Sequence, residues 1–352
     1  MLKVIKLAVL GTSKEFSGVL QITVLKSVRD AVFINTLWKN NFVLSKMIEL
    51  CGKILVGFIA VKICLQLFHL LYVYVLGSCP NLKRYGDWSV VTGATDGIGR
   101  AFAENLAKKG QNIVLISRNP EKLKNVAAEI ESKYQVETRT IQADFSSSDI
   151  YENIGKEISG LDIGLLVNNV GISYDFPEEL MSVTGLTSFM KSTMAINVTS
   201  VLGMTEVVMP AMLKKRKGII LNVSSAAALQ PTPLLTIYSA SKLFVDCFSQ
   251  ALGFEYSKSG ITIQTVMPFY VTTKLSKIRK SSFFVPTPDS YVASTLKTIG
   301  RSRRTFGCLS HALQAMLMSL APEYIRMFVA AKMNYGVRAH ALKKRAKATK
   351  SS

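Results

Sequence analysis

Trp88-Ser89-Val90-Val91-Thr92-Gly93-Ala94-Thr95-Asp96-Gly97-Ile98-Gly99 decides how the chain is read. An apolar run ends in a turn with three glycines, and a helical stretch follows at once. A bound diphosphate needs backbone without Cβ atoms close by and free N–H groups at a helix start, where the dipole also favours an anion. Glycines also make ordinary tight turns, so the loop gains its weight from following a strand. Gly93, Thr95, Asp96, Gly97, Ile98 and Gly99 are therefore candidate dinucleotide-binding residues.

Outward from this turn, strands and helices alternate. Arg100–Lys109 and Glu121–Tyr134 have helical spacing; strands are expected over 112–117, 138–144, 164–171, 218–225 and 261–268. Strands separated by helical crossovers imply a parallel sheet covered on both faces. The fold class expected is α/β, a Rossmann-type doubly wound parallel sheet over residues 86–300. At the end of the second strand, where an NAD-binding chain usually carries an acid for the ribose 2′-OH, the sequence is Ile116-Ser117-Arg118. A guanidinium suits a 2′-phosphate through bidentate charge-assisted hydrogen bonds, so NADPH/NADP+ is the expected cofactor; the plain alternative is a solvated surface arginine. Asp144 and Asn169, with Asn168 and Gly171, end the next two strands, where the adenosine half would lie.

Tyr238-Ser239-Ala240-Ser241-Lys242 places a phenol and an ammonium four apart, on one helical face. A nearby cation is expected to lower the phenol from its usual value near ~10, giving a general acid for a carbonyl oxygen that gains its proton as hydride reaches carbon. Ser225 ends the fifth strand and can hydrogen-bond the same oxygen. A tyrosine and lysine at this spacing are by default a surface pair; their place downstream of the glycine loop and of Asn222-Val223-Ser224-Ser225 raises the pair above that default.

In order and spacing, the glycine loop, Asn168-Asn169-Val170-Gly171, Asn197, Ser225 and Tyr238…Lys242 resemble the short-chain dehydrogenase/reductase family from about Trp88 to Gly300. The resemblance implies an oxidoreductase in which Asn197 completes a catalytic set with Ser225, Tyr238 and Lys242, by holding a water that relays protons to the lysine. It also implies that Val271 and Thr273 contact the nicotinamide carboxamide, although Phe269 stands where the family commonly has glycine. Segments such as 114–123, 136–154 and 161–174, and the tail Arg338–Lys347, are similar to the membrane-bound group described both as 17β-hydroxysteroid dehydrogenase type 12 and as very-long-chain 3-oxoacyl-CoA reductase, and also to the type 3 steroid enzymes. That group implies NADPH-dependent reduction of the 3-keto group of long-chain 3-oxoacyl-CoA in fatty-acid elongation at the endoplasmic reticulum membrane. A 17-ketosteroid reductase is the alternative within lipid and steroid metabolism, and a membrane scaffold keeping only the fold is the non-enzymatic one. The intact four-residue set argues against the scaffold. Expected partners are a long-chain acyl-CoA or steroid substrate, membrane lipid, fatty-acid elongation enzymes and a second copy of the chain.

The rest of the chain bears on location. Ile54–Val75 is apolar over the length of a bilayer core, and its polar residues Lys62, Gln66 and His69 share one face. It reads as a membrane anchor within residues 47–80, with a buried core helix as the alternative. Residues 1–46 carry no motif and read as a dispensable flexible or interfacial extension. Residues 301–352 form an apolar segment, expected as an interfacial or substrate-covering helix pair, and a basic tail. The net charge of +20 comes with no nucleic-acid motif, so no nucleic-acid partner is expected; it suits anionic lipid or acidic substrates. The basic run Lys274–Lys280 is expected to border the site mouth and meet CoA phosphates. Five scattered cysteines make neither a disulfide framework nor a metal site. The sequons at Asn197 and Asn222 fall in core segments where a glycan cannot fit, placing the catalytic domain on the cytosolic side.

Overall fold

The computed structural model describes residues 16–350, with side chains over 25–348. In the larger of its two compact units, His69–Ser352, seven parallel strands carry the core: β1 Trp88–Thr92, β2 Asn112–Ser117, β3 Thr138–Gln142, β4 Ile163–Asn168, β5 Gly218–Val223, β6 Ile261–Val266 and β7 Arg304–Thr305. They lie in the order β3-β2-β1-β4-β5-β6-β7. The order reverses beside β1, and the crevice at the carboxyl ends of β1 and β4 is where such sheets bind ligands. β4 and β5 are buried at every position, as expected of strands with helices on both faces.

Successive strand residues point to opposite layers. Val91, Leu115, Leu165 and Leu221 pack with Phe102 and Leu106 of α2 (Gly97–Ala107), with α3 (Pro120–Tyr134) and with Tyr291 and Leu296 of α8 (Pro288–Lys297). Val90, Val114, Leu166 and Ile220 face Ile154 of α4 (Ile150–Glu157) and Met204, Val208 and Met212 of α6 (Ser200–Lys215). A short helix α5 (Leu186–Met194) precedes α6, and α7 (Thr236–Glu255) follows β5. The run from α5 to α6 is long and apolar enough to cross a membrane, yet most of it is buried in this unit.

The unit does not end at residue 300. β7 pairs with β6 through Thr265 and Val266, too short a strand to show periodicity in sequence. Helices α9 (Leu309–Ser319) and α10 (Glu323–Lys350) follow as the expected helix pair, separated at Pro322, which cannot continue α9. Upstream, the turn Leu71–Val75 is docked: Val73 is fully buried, and the Tyr74 phenol oxygen accepts hydrogen bonds from the Phe306 N–H (2.9 Å) and the Thr305 hydroxyl (3.0 Å).

Among the described residues, the other unit consists of helix α1, unbroken over Phe16–Leu70. The separate extension expected before residue 47 is therefore not seen from Phe16 onward, while residues 1–15 of that extension lie outside the described residues. No proline interrupts this span. Its weak periodicity has a physical reason: the apolar side chains from Leu25 to Leu67 are exposed around the helix, so there is no buried face to impose a period. Leu25–Val75 is long and apolar enough to cross a membrane, with a mean hydropathy of 2.2 in its most apolar window. A chain shortened to begin at Met47 keeps Met47–Leu70 of this helix, about 36 Å at 1.5 Å per residue, against a hydrocarbon core of about 30 Å. It is expected to stay in the membrane pellet after an alkaline carbonate wash; recovery in the supernatant would mean that residues before Met47 carry the attachment.

Candidate active site

The glycine turn is held by close packing. Gly93 and Gly97 have φ of +66° and +53°, where an L side chain is strained. Gly99 is needed for space: a Cβ there would lie 2.2 Å from the Gly93 carbonyl oxygen and 2.4 Å from Asn169 Nδ2. Asp96 caps α2 by accepting from the Gly97 N–H (2.8 Å) and forms an ion pair with Lys274 (2.5 Å). Burial works to raise the Asp96 carboxyl, but the Lys274 ammonium and the capping bond outweigh it and hold it below the usual range.

Asn169 directly follows β4 and braces this turn. Its N–H donates to Thr92 Oγ1 (3.0 Å), and its Nδ2 donates to the carbonyls of Thr92 (3.0 Å) and Gly93 (3.5 Å). Thr95 shares a 2.9 Å hydrogen bond with Ser117, drawing the turn to the end of β2, where Arg118 is exposed. Two hydrogen bonds from Ser146 hold the Asp144 carboxyl below its usual range against partial burial, and the Arg118 guanidinium adds to the effect, so these residues meet at one edge. From the loop after β6, Thr273 packs toward Gly97, where a Cβ would lie 3.3 Å from its methyl group. Val271 turns its side chain into the core, and its carbonyl accepts from Ser276 (2.6 Å). Ile98 packs against the same core. A diphosphate fits the resulting cradle: Cβ-free backbone, a helix start, and a guanidinium at the next strand end.

The candidate catalytic side chains converge at the ends of β4 and β5. Ser225 lies two residues past the end of β5, and its hydroxyl accepts from the Ala227 N–H (3.1 Å). Tyr238 lies in the first turn of α7, with Lys242 one turn later. Lys242 Nζ donates to the Val223 carbonyl (3.0 Å) and lies 6.0 Å from the centre of the Tyr238 ring. The ammonium is buried, and that burial pulls it down to about 8. The sequence expectation of a lysine-lowered phenol is not met. Tyr238 is raised above its ordinary value because burial costs the phenolate its hydration; a hydrogen bond with Ser225 works against this, and nearby Tyr270 adds to it. A phenol is neutral at neutral pH in any case, and the upward shift holds it in that proton-donating form to still higher pH.

Asn197 sits in a π-helical turn, Ala195–Thr199, between α5 and α6; such one-turn bulges recur at functional sites. The bulge aims its amide at Ile172: Oδ1 accepts from the Ile172 N–H (2.8 Å), and Nδ2 donates to the Ile172 carbonyl (3.0 Å) and to Ser241 (3.0 Å). Ser241 in turn donates to the Tyr238 carbonyl (2.7 Å). A Cβ on Gly171 would lie 3.2 Å from Lys242 Nζ and 3.4 Å from Asn197 Oδ1, so all four expected catalytic residues share one locality. Asn168 does not reach the crevice: it donates to Asn222 (2.8 Å), which donates to Ser249 (2.8 Å), all three buried. Both sequon asparagines are fully buried.

Sequence reasoning missed Ser241, hidden inside the tyrosine-lysine spacing, and His311, a lone histidine in an apolar helix. His311 is fully buried; Nδ1 accepts from the Phe269 N–H (3.2 Å), which leaves the proton on Nε2 to bond the Tyr270 carbonyl (3.2 Å). Burial pulls the imidazole down to about 4. Phe269, in place of the family's glycine, packs its ring against Phe306 and His311.

Residues 87–282 match the short chain dehydrogenase family. The chain belongs to that family. This short-chain dehydrogenase is 48% identical over 290 residues to the very-long-chain 3-oxoacyl-CoA reductase of Homo sapiens, covering 82% of this chain and 93% of the relative. It is 49% identical over 297 residues to very-long-chain 3-oxoacyl-CoA reductase-B of Danio rerio, covering 83% and 95%. Among solved structures, a 7beta-hydroxysteroid dehydrogenase superposes with a TM-score of 0.65 at 23% identity, over 70% of this chain and 98% of that one, and shows the same fold. A short-chain dehydrogenase from Sphingobium yanoikuyae in complex with NADPH superposes with a TM-score of 0.53 at 26% identity, over 58% and 80%.

Replacing Gly99 by alanine forces its methyl against the backbone of Gly93. The Gly99→Ala variant is expected to lose at least about tenfold in dinucleotide affinity, because the turn must shift by more than the tolerance of a preorganised site. Fluorescence titration with the reduced dinucleotide measures this, and unchanged affinity would show that the close approach is not needed.

Proposed function

We propose that this short-chain dehydrogenase reduces the 3-keto group of long-chain 3-oxoacyl-CoA with NADPH, in fatty-acid elongation. The chemistry rests on one observation, the convergence of the Tyr238 phenol with Ser225 and with a buried Lys242 whose Nζ lies 6.0 Å from the centre of the tyrosine ring. The substrate class rests on relatives named for that reaction that match more than four-fifths of the chain.

NADP(H) is supported by the cradle at Gly93, Thr95, Asp96, Gly97, Ile98 and Gly99, by Asn169 bracing it, by Arg118 and Asp144 at the neighbouring strand ends, and by Val271 and Thr273 on the facing loop. When bound, this cofactor supplies the hydride. Ser225 and Tyr238 hold the keto oxygen, and Tyr238 delivers its proton as negative charge develops there. The low-dielectric surroundings that raise its pKa also strengthen both hydrogen bonds. Lys242, near 8, returns a proton to the phenolate and is itself reprotonated through water held at Asn197, beside it at Gly171. The exposed apolar helix α1 supports attachment to a membrane, which we assign to the endoplasmic reticulum with the catalytic unit on the cytosolic side, where the buried sequons meet no glycosylation machinery. Elongation enzymes and a second copy of the chain are the proposed protein partners.

Side-by-side turnover of a long-chain 3-oxoacyl-CoA and a 17-ketosteroid by the full-length protein tests the substrate class; preference for the steroid would overturn it. Tyr238→Phe removes the proton donor and is expected to lower kcat by about a hundredfold or more while NADPH still binds; a variant keeping more than about a tenth of the rate would exclude the phenol as the acid. Arg118→Asp removes the phosphate's partner and offers an acceptor to a ribose hydroxyl, so the ratio of kcat/KM for NADPH over NADH should fall by at least about tenfold. An unmoved ratio would make Arg118 an ordinary surface residue.

A further inference from the structure

A cavity of about 1030 Å³ opens beside the start of α2, and its charges are out of balance. Five cations line it, Arg100, Lys274, Lys277, Arg279 and Lys344, against three carboxylates, Asp96, Glu104 and Asp289. Each carboxylate already has a partner. Asp96 pairs with Lys274, Glu104 with Arg100, and Asp289 accepts from Asn105 Nδ2 at 2.8 Å. Lys277 donates to the Asp175 carbonyl. Arg279 and Lys344 are exposed, and among the described residues neither has an ion pair. They come from separate parts of the chain, the segment after β6 and helix α10, yet line one cavity.

An acyl chain or a steroid gives these cations nothing to bind. A ligand with several phosphates does, and the helix start at Gly97 accounts for only the diphosphate of the dinucleotide. We propose that Arg279 and Lys344 bind the phosphates of the coenzyme A portion of the substrate, with Lys277 completing the rim. This rests on the 3-oxoacyl-CoA reading above and adds the part of the enzyme that recognises the handle rather than the keto group. It also revises which residues of the basic run matter: Lys274 is committed to Asp96, Lys280 does not line the cavity, and Lys344 from the tail does. Thr272 and Thr273 line the same cavity, and Thr273 packs toward Gly97, so a nucleotide handle held here borders the cofactor cradle. A guanidinium binds phosphate through two parallel hydrogen bonds and an ammonium as a point charge, so the two serve an anion whose position is only partly fixed.

The test uses the full-length protein in detergent and the double variant Arg279→Ser/Lys344→Ser, two exposed side chains whose removal breaks no ion pair. Binding of free CoA by equilibrium dialysis is expected to weaken about five- to tenfold, and its salt dependence to flatten, because surface attraction is screened within about 10 Å at 0.1 M salt. The KM for a long-chain 3-oxoacyl-CoA should rise by a similar factor at unchanged kcat, while the matching 3-oxoacyl N-acetylcysteamine thioester, which has no phosphate, should be unaffected. NADPH affinity should stay the same. Unchanged CoA affinity overturns the proposal, and so does a parallel loss of NADPH affinity, which would give these cations to the cofactor. A wild-type protein that binds CoA but reduces no 3-oxoacyl-CoA overturns the proposed reaction instead; the CoA dissociation constants of wild type and variant still decide this site.

Discussion

Helix α2 can begin where it does only because Gly99 meets the Gly93 carbonyl with no side chain between them. That approach sets the direction in which the first N–H groups of the helix point, and so where an anion can sit. Asn169 reaches from the end of β4 and bonds the carbonyls at the end of β1, so the two strands flanking the reversal in the sheet are tied to the turn itself. The Thr95–Ser117 hydrogen bond fastens the same turn to β2. Three strand ends therefore hold one backbone loop, and Arg118 takes its position from one of them, the end of β2.

On the other side of the crevice, burial dominates the electrostatics. Lys242 and Tyr238 are both shifted toward their neutral forms, and for opposite chemical reasons: the ammonium loses a proton more easily, and the phenol holds its own more tightly. The two shifts leave a protonated phenol in the crevice and, one helical turn away, an amine that burial brings down to about 8. Ser241, Asn197 and the Ile172 backbone fix this arrangement through hydrogen bonds that need no charge.

Much of this was legible in the sequence. The glycine turn, the six longer strands and the four candidate catalytic residues are marked by residue type and spacing, because backbone clearance, β-periodicity and helical facing all leave local patterns. β7 did not show, since two residues have no period. α1 looked like two segments because an apolar helix with no buried face has no amphipathic signature. The sign of the Tyr238 shift was misread because the residue pair shows which groups are neighbours but not how much water they lose. His311 was missed because its partners are backbone atoms of Phe269 and Tyr270, more than forty positions away.

The His311 contacts give the fold a chemical fastener whose strength depends on acidity. Nδ1 can accept from the Phe269 N–H only while the ring is neutral, and burial favours the neutral ring down to about 4, against 6.5 for a free imidazole. Between these values the unfolded chain takes up a proton that the folded chain refuses, so folded-state stability is intact above about 6.5 and declines as pH falls toward 4. Once the ring is charged, α9 loses its hold on the segment that carries Tyr270 beside Tyr238. Acid would thus loosen α9 and the Phe269–Tyr270 segment together, through one proton on one ring.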